Sequence, residues 1–168
     1  HEVAKIMHQN NGLCFVDFAC SGPYVKIDMH PEDAESYLDA IFFSPHKFLG
    51  GPGTCGVLVF NKKLYQNVVP DNPGGGTVSW TNPWGEHKYI DNIEDREDGG
   101  TPGFLQVIKT ALAIQLKEQM GIENILKREH EIVDYIFSEL GNISNIKILA
   151  GQHQDRLGVI SFFIEDLH

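Results

Sequence analysis

Ala40-Ile41-Phe42-Phe43-Ser44-Pro45-His46-Lys47-Phe48-Leu49-Gly50-Gly51-Pro52-Gly53 decides the reading of this chain. An apolar run ends in Ser, His and Lys, and a glycine-rich turn follows. The pattern predicts a buried strand whose end presents a lysine where the backbone bends. Burial disfavours a charged ammonium, which makes such an amine usable as a nucleophile in Schiff-base chemistry. Taken alone, Lys47 would read as a surface lysine in a polar turn.

Outward from this stretch, Leu13-Cys14-Phe15-Val16-Asp17-Phe18-Ala19-Cys20-Ser21-Gly22 is a second apolar run, and it ends in a carboxylate followed by small residues. Between the two lies Pro31-Glu32-Asp33-Ala34-Glu35-Ser36-Tyr37-Leu38, where a proline before several acids predicts a short helix. Strand, helix, strand makes a βαβ unit with parallel strands. Ligands of open α/β sheets bind beyond the carboxyl ends of such strands, where Asp17 and Lys47 both fall. A carboxylate and a lysine so placed suit pyridoxal 5'-phosphate: the lysine forms the aldimine and the acid keeps the pyridine nitrogen protonated.

These residues resemble the class V aminotransferase family of pyridoxal-phosphate enzymes, and within it the cysteine desulfurases and selenocysteine lyases. The resemblance is carried by Val16-Asp17-x-Ala19-x-Ser21, by Ser44-x-His46-Lys47 with its Gly-Pro-Gly turn, by the glycine loop Gly74-Gly75-Gly76-Thr77, and by Gly100-Thr101-Pro102. It implies an α/β fold: part of the fold type I large domain, a mixed and mostly parallel sheet with flanking helices. It assigns Lys47 and Asp17 to catalysis, and Asp17, Ala19, Cys20, Ser44, His46, Lys47 and Thr77 to cofactor binding. Thr77 is expected to reach the cofactor phosphate of a neighbouring subunit in a homodimer. The substrate implied is an amino acid, cleaved at a C–S bond with sulfur transfer. An aminotransferase or another lyase of the same cofactor class is the alternative, and a non-catalytic α/β module binding a partner through the Trp80–Trp84 loop is a third reading.

The resemblance also implies a chain about twice this length, the usual size of two domains. Residues 1–141 then belong to the large cofactor domain, and 142–168 begin a truncated small domain. Segments that hold the cofactor phosphate would precede residue 1, and the substrate-binding arginine and persulfide-forming cysteine would follow residue 168. The fragment alone is expected to be inactive. Cys20 stands where desulfurases carry a glutamine, Pro45 where glycine is usual, Gly50-Gly51 lengthens the turn by one residue, and Gly103 replaces a common asparagine.

Composition sets the remaining bounds. The 168 residues are 42% apolar and 21% charged, ordinary globular usage with length enough for one core. A formal charge of −10 argues against nucleic acid and anionic membranes as partners. Asp91 to Asp98 reads as a solvated acidic loop rather than a metal site. No apolar run reaches membrane-spanning length and no signal peptide is evident at the first residues. Three cysteines without C-x-x-C spacing fit free thiols in a reducing cytoplasm, and eight scattered histidines without H-x-x-x-H spacing give no zinc signature.

Further along, Cys55–Phe60 reads as a third strand, antiparallel because its connection is short. Leu64 to Glu97 reads as a long irregular segment. A helix begins with Thr101 as cap and Pro102 in its first position. Its stripe Leu105, Ile108, Leu112, Leu116 and Met120 is expected in the core, as is the stripe Ile125 to Leu140 of a second helix. Residues 146–149 and 157–164 read as strands.

Overall fold

A computed structural model describes residues 1–167; His168, in the stretch expected to begin a second domain, lies outside the described residues. The chain opens with helix α1 (Glu2–Gln9), which the sequence reading did not anticipate; Ala4 is its buried residue. Strand β1 (Phe15–Asp17) runs parallel to β2 (Ala40–Phe43), with Phe15, Val16 and Asp17 opposite Ala40, Ile41 and Phe42. Strand β3 (Val57–Phe60) pairs antiparallel on the far side of β2. The sheet is thus mixed, in the order β1-β2-β3.

The crossover between β1 and β2 corrects one expectation: residues 31–38 form turns, not a helix. Asp33 is the reason. Its carboxylate accepts from the Glu35 backbone N–H at 3.0 Å and from the Ser36 hydroxyl at 3.0 Å, so the side chain satisfies donors a helix would otherwise use. Lys5 of α1 reaches the same carboxylate at 2.9 Å. Helix α1 docks on this crossover through His8, which lies 2.9 Å from the buried Asp39 carboxylate and 2.6 Å from the Glu35 carbonyl, with its ring stacked on Tyr37. A small core of Ala4, Cys14, Leu38 and Ile41 forms beneath.

The segment expected to be irregular holds a hairpin of β4 (Val78–Thr81) and β5 (His87–Tyr89). Within the expected acidic loop lies helix α2 (Ile93–Glu97), capped by Asn92, whose side chain accepts from the Asp95 N–H at 3.1 Å. Arg96 anchors it by donating to the Ile90 carbonyl at 3.0 Å.

Helix α3 spans Phe104–Met120 with Gly103, not Thr101, at its N-cap; α4 spans Ile122–Gly141. The expected core stripe of α3 is a second correction: Leu105 is 79% exposed, Ile108 56% and Leu112 57%. The inward face is instead Thr110 and Ala113, whose small side chains let α3 come close to its neighbours. On α4, Val133 is buried as expected, whereas Ile132 of the same stripe is exposed. A hairpin of β6 (Ile146–Ile148) and β7 (Phe162–Ile164) follows, and the Glu129 carboxylate on α4 accepts from the Gly158 N–H at 2.7 Å.

Candidate functional site

Two strand ends build the site. β1 ends at Asp17 and the parallel β2 ends at Phe43, so both carboxyl ends open on the same edge of the sheet. After β1, the Asp17 carboxylate accepts from the Ala19 N–H at 2.7 Å, which turns the chain and brings Cys20 forward. Residues 21–25 then close one helical turn, with Tyr24 and Val25 N–H both donating to the Ser21 carbonyl.

After β2, Ser44 starts a 3₁₀ turn over Pro45–Lys47, and its carbonyl accepts from the Lys47 N–H at 3.0 Å. Pro45, with its fixed φ, occupies the first position of that turn and is buried. The extra glycine has a steric reason. A Cβ on Gly51 would stand 1.9 Å from the Pro45 carbonyl oxygen, so the chain can fold back over the lysine turn only with glycine there. Gly50, at φ 75°, supplies the left-handed bend before it.

The result brings Lys47 to Cys20: the Lys47 ammonium donates to the Cys20 sulfur at 3.7 Å across the two turns. Asp17, Cys20, His46 and Lys47 are exposed, Ala19 and Ser44 half-buried. A cavity of about 460 Å³ beside the lysine turn is lined by Tyr24, His46, Lys47, Phe48, Gly50 and Lys117. Thr77 stands apart from this group. It is fully buried, and its hydroxyl donates to the Gly74 carbonyl at 2.6 Å while accepting from the Gly74 N–H at 3.1 Å. Its hydrogen bonds are thus committed to its own glycine loop.

Sequence reasoning missed Lys117 on α3, whose ammonium donates to the carbonyls of Gly22 and Val25, both at 2.6 Å, and stands 5.6 Å over the Phe48 ring. Burial pushes its pKa below the ordinary lysine value. A charged residue beside another in a helix, as Lys117 stands next to Glu118, reads as a solvated position, so the signal was weak. Among the described residues no cluster of metal-ligating side chains occurs, and no helix is long and apolar enough to cross a membrane.

An exposed lysine at the end of one strand, with a carboxylate at the end of its parallel neighbour, defines an α/β protein with a site suited to carbonyl-bearing cofactors. The class V aminotransferase family model matches residues 1–168, and the chain belongs to that family. Members of the family use pyridoxal 5'-phosphate, and the donor set fits that group: an amine and a carboxylate on neighbouring strand ends, open to a ligand. The chain is 31% identical to a probable cysteine desulfurase of Halalkalibacterium halodurans over 99% of its own length and 39% of the relative's. It is 32% identical to a probable cysteine desulfurase of Staphylococcus aureus over 95% of its length and 37% of the relative's. The chain therefore spans about two fifths of the curated relatives it matches. Its fold is that of solved cysteine desulfurases. The apo enzyme from Thermococcus onnurineus superposes with a TM-score of 0.79 at 25% identity, covering 99% of this chain and 40% of that one. One from Escherichia coli superposes at 0.75 with 21% identity, covering 97% and 38%.

Proposed function

We propose that the protein carrying this chain is a pyridoxal-phosphate enzyme of the cysteine desulfurase type, which cleaves the C–S bond of an amino-acid substrate and passes the sulfur on. One observation carries the reading: the parallel register of β1 and β2 delivers Asp17 and the Lys47 turn to the same edge. The similarity to probable cysteine desulfurases supports the choice of reaction over transamination.

When bound, pyridoxal phosphate supplies an electron sink for charge developing at the substrate α-carbon. Lys47 would hold the cofactor, and its amine is the group that would move a proton at that carbon. Asp17 would keep the cofactor's ring nitrogen protonated, with one carboxylate oxygen already fixed by the Ala19 N–H. Ser44 and His46, at the start and centre of the turn, would contact the cofactor. Cys20 faces Lys47 through its sulfur, and a thiol is a weaker donor than the amide that desulfurases carry there. A phosphate contact from Thr77 of a partner subunit requires its loop to give up the Gly74 bonds. The working unit is a homodimer of a longer chain, in the cytoplasm, with residues 1–141 in the cofactor domain and 142–168 starting a smaller one.

Replacing Lys47 tests the reading. The full protein loaded with pyridoxal phosphate should show a visible absorbance band, and K47A should abolish it. A band that survives in K47A removes Lys47 from the assignment.

A further inference from the structure

We propose that Lys117 is a positioning residue for Lys47: one ammonium on α3 holds the turn after β1 against the turn after β2. The two turns touch each other directly, since a Cβ on Gly22 would meet the Phe48 ring at 3.3 Å. Lys117 joins them from a third element. On one side it donates to the Gly22 and Val25 carbonyls, at the end of the helical turn that follows Cys20. A cation there satisfies carbonyls that the short turn leaves without donors. On the other side it stands over the ring of Phe48, the residue after Lys47. Phe48 is 5% exposed and stacks on Phe43 at the end of β2, so it passes this hold to the lysine turn.

The chemistry favours positioning over general adhesion. Among the described residues the direct partners of Lys117 are two carbonyls and a ring; Glu118 acts on it only from beyond ion-pair distance. Burying a charge without an ion pair is unfavourable for stability, and a methionine of similar length would fill the same space without that cost. What a methionine cannot do is fix two carbonyls of one turn and a ring of the other at set distances. The Cys20–Lys47 separation depends on both turns, so it depends on Lys117.

The test compares K117M, K117R and V133A in the full protein. V133A removes a core contact on α4 away from the site and controls for lost stability alone. Two readouts are needed. The first is the rate at which iodoacetamide alkylates Cys20, followed by peptide mass in the cofactor-free protein. The second is pyridoxal phosphate affinity with the pH midpoint of its visible band, and this one rests on the function proposed above. K117M should change the Cys20 rate severalfold, weaken the cofactor on the order of tenfold to a hundredfold, and move the midpoint. K117R, which keeps two donors and the charge, should restore most of each. V133A should leave all three near wild type although it lowers the melting temperature. Should K117M not fold, K117Q carries the comparison. Lys117 values indistinguishable from those of V133A overturn the proposal. If the wild-type protein shows no visible band, the cofactor reading fails, and the Cys20 rates still decide for or against Lys117.

Discussion

His8 carries a protonation argument on its own geometry. Its Nδ1 lies 2.6 Å from a carbonyl oxygen and its Nε2 lies 2.9 Å from a carboxylate oxygen, both acceptors. A neutral imidazole donates from one nitrogen only, so this arrangement calls for the imidazolium. The hydrogen bond to Asp39 first, and the Glu35 carbonyl second, hold the His8 pKa above its ordinary 6.5. Because the folded value is the higher one, its stabilisation is complete below about pH 6.5 and is lost as pH rises through the folded pKa. Thermal melts should therefore show a midpoint falling above that pH, and H8Q should flatten this limb. Asp33 has the opposite sign. Lys5 and the turn donors pull its pKa from 3.8 to about 2, so its contribution is present above pH 3.8 and lost on acidification toward pH 2. D33N should lower the melting midpoint at neutral pH and leave it unchanged at the acid end.

At the scale of elements, the lysine turn and α4 give separate expectations. G51A places a methyl group into the Pro45 carbonyl, so the turn must open. It should cost about 1–3 kcal/mol in denaturant unfolding and weaken the visible band of bound cofactor at the same time. V133A should cost about 2 kcal/mol, since Val133 is 1% exposed, and leave the band intact. These elements also show what the sequence made legible. Strands β1 and β2 were readable because each is an unbroken apolar run ending in a polar residue; their parallel pairing, read from a strand–helix–strand unit, holds although residues 31–38 form turns in place of the helix. The helix expected at 31–38 failed because Asp33 serves the turn donors itself, which its charge pattern does not reveal. Helix α1 was missed because it is short, although Val3, Ile6 and Met7 fall at helical spacing, and the β4–β5 hairpin because its strands are short and mostly polar. The α3 stripe misled because periodicity marks an apolar face without saying whether this stretch of chain supplies its cover. Asp17 ends β1 and Lys47 lies in the turn after β2, whereas Thr77 is turned into its own loop, which only its hydrogen bonds disclose.

Across the whole molecule, the notable property is uncovered apolar surface. Phe104, Leu105, Val107, Ile108 and Leu112 lie on α3 at 55–79% exposure, more than a monomeric domain of this size leaves bare along one helix. The 168-residue chain expressed alone should self-associate in light scattering as concentration rises. Replacing Leu105, Ile108 and Leu112 with glutamate should shift it toward monomer. The same chain alone should bind pyridoxal phosphate weakly; tight, stoichiometric binding would show that these residues make up the complete pocket.

The reach of Lys117 has a further consequence, in the order of assembly. Cys20 and Lys47 are 27 residues apart, whereas Lys117 closes on Gly22 across 95. Loop-closure entropy makes the longer connection about 1 kcal/mol more costly. During synthesis the two turns leave the ribosome well before α3 does. The lysine turn is therefore drafted early, from neighbouring strands, and fixed late, when a helix made much later arrives to clamp it. Until that moment the nascent chain carries a lysine and a thiol side by side in a loose pair of turns, the interval in which a prematurely captured aldehyde would do most harm.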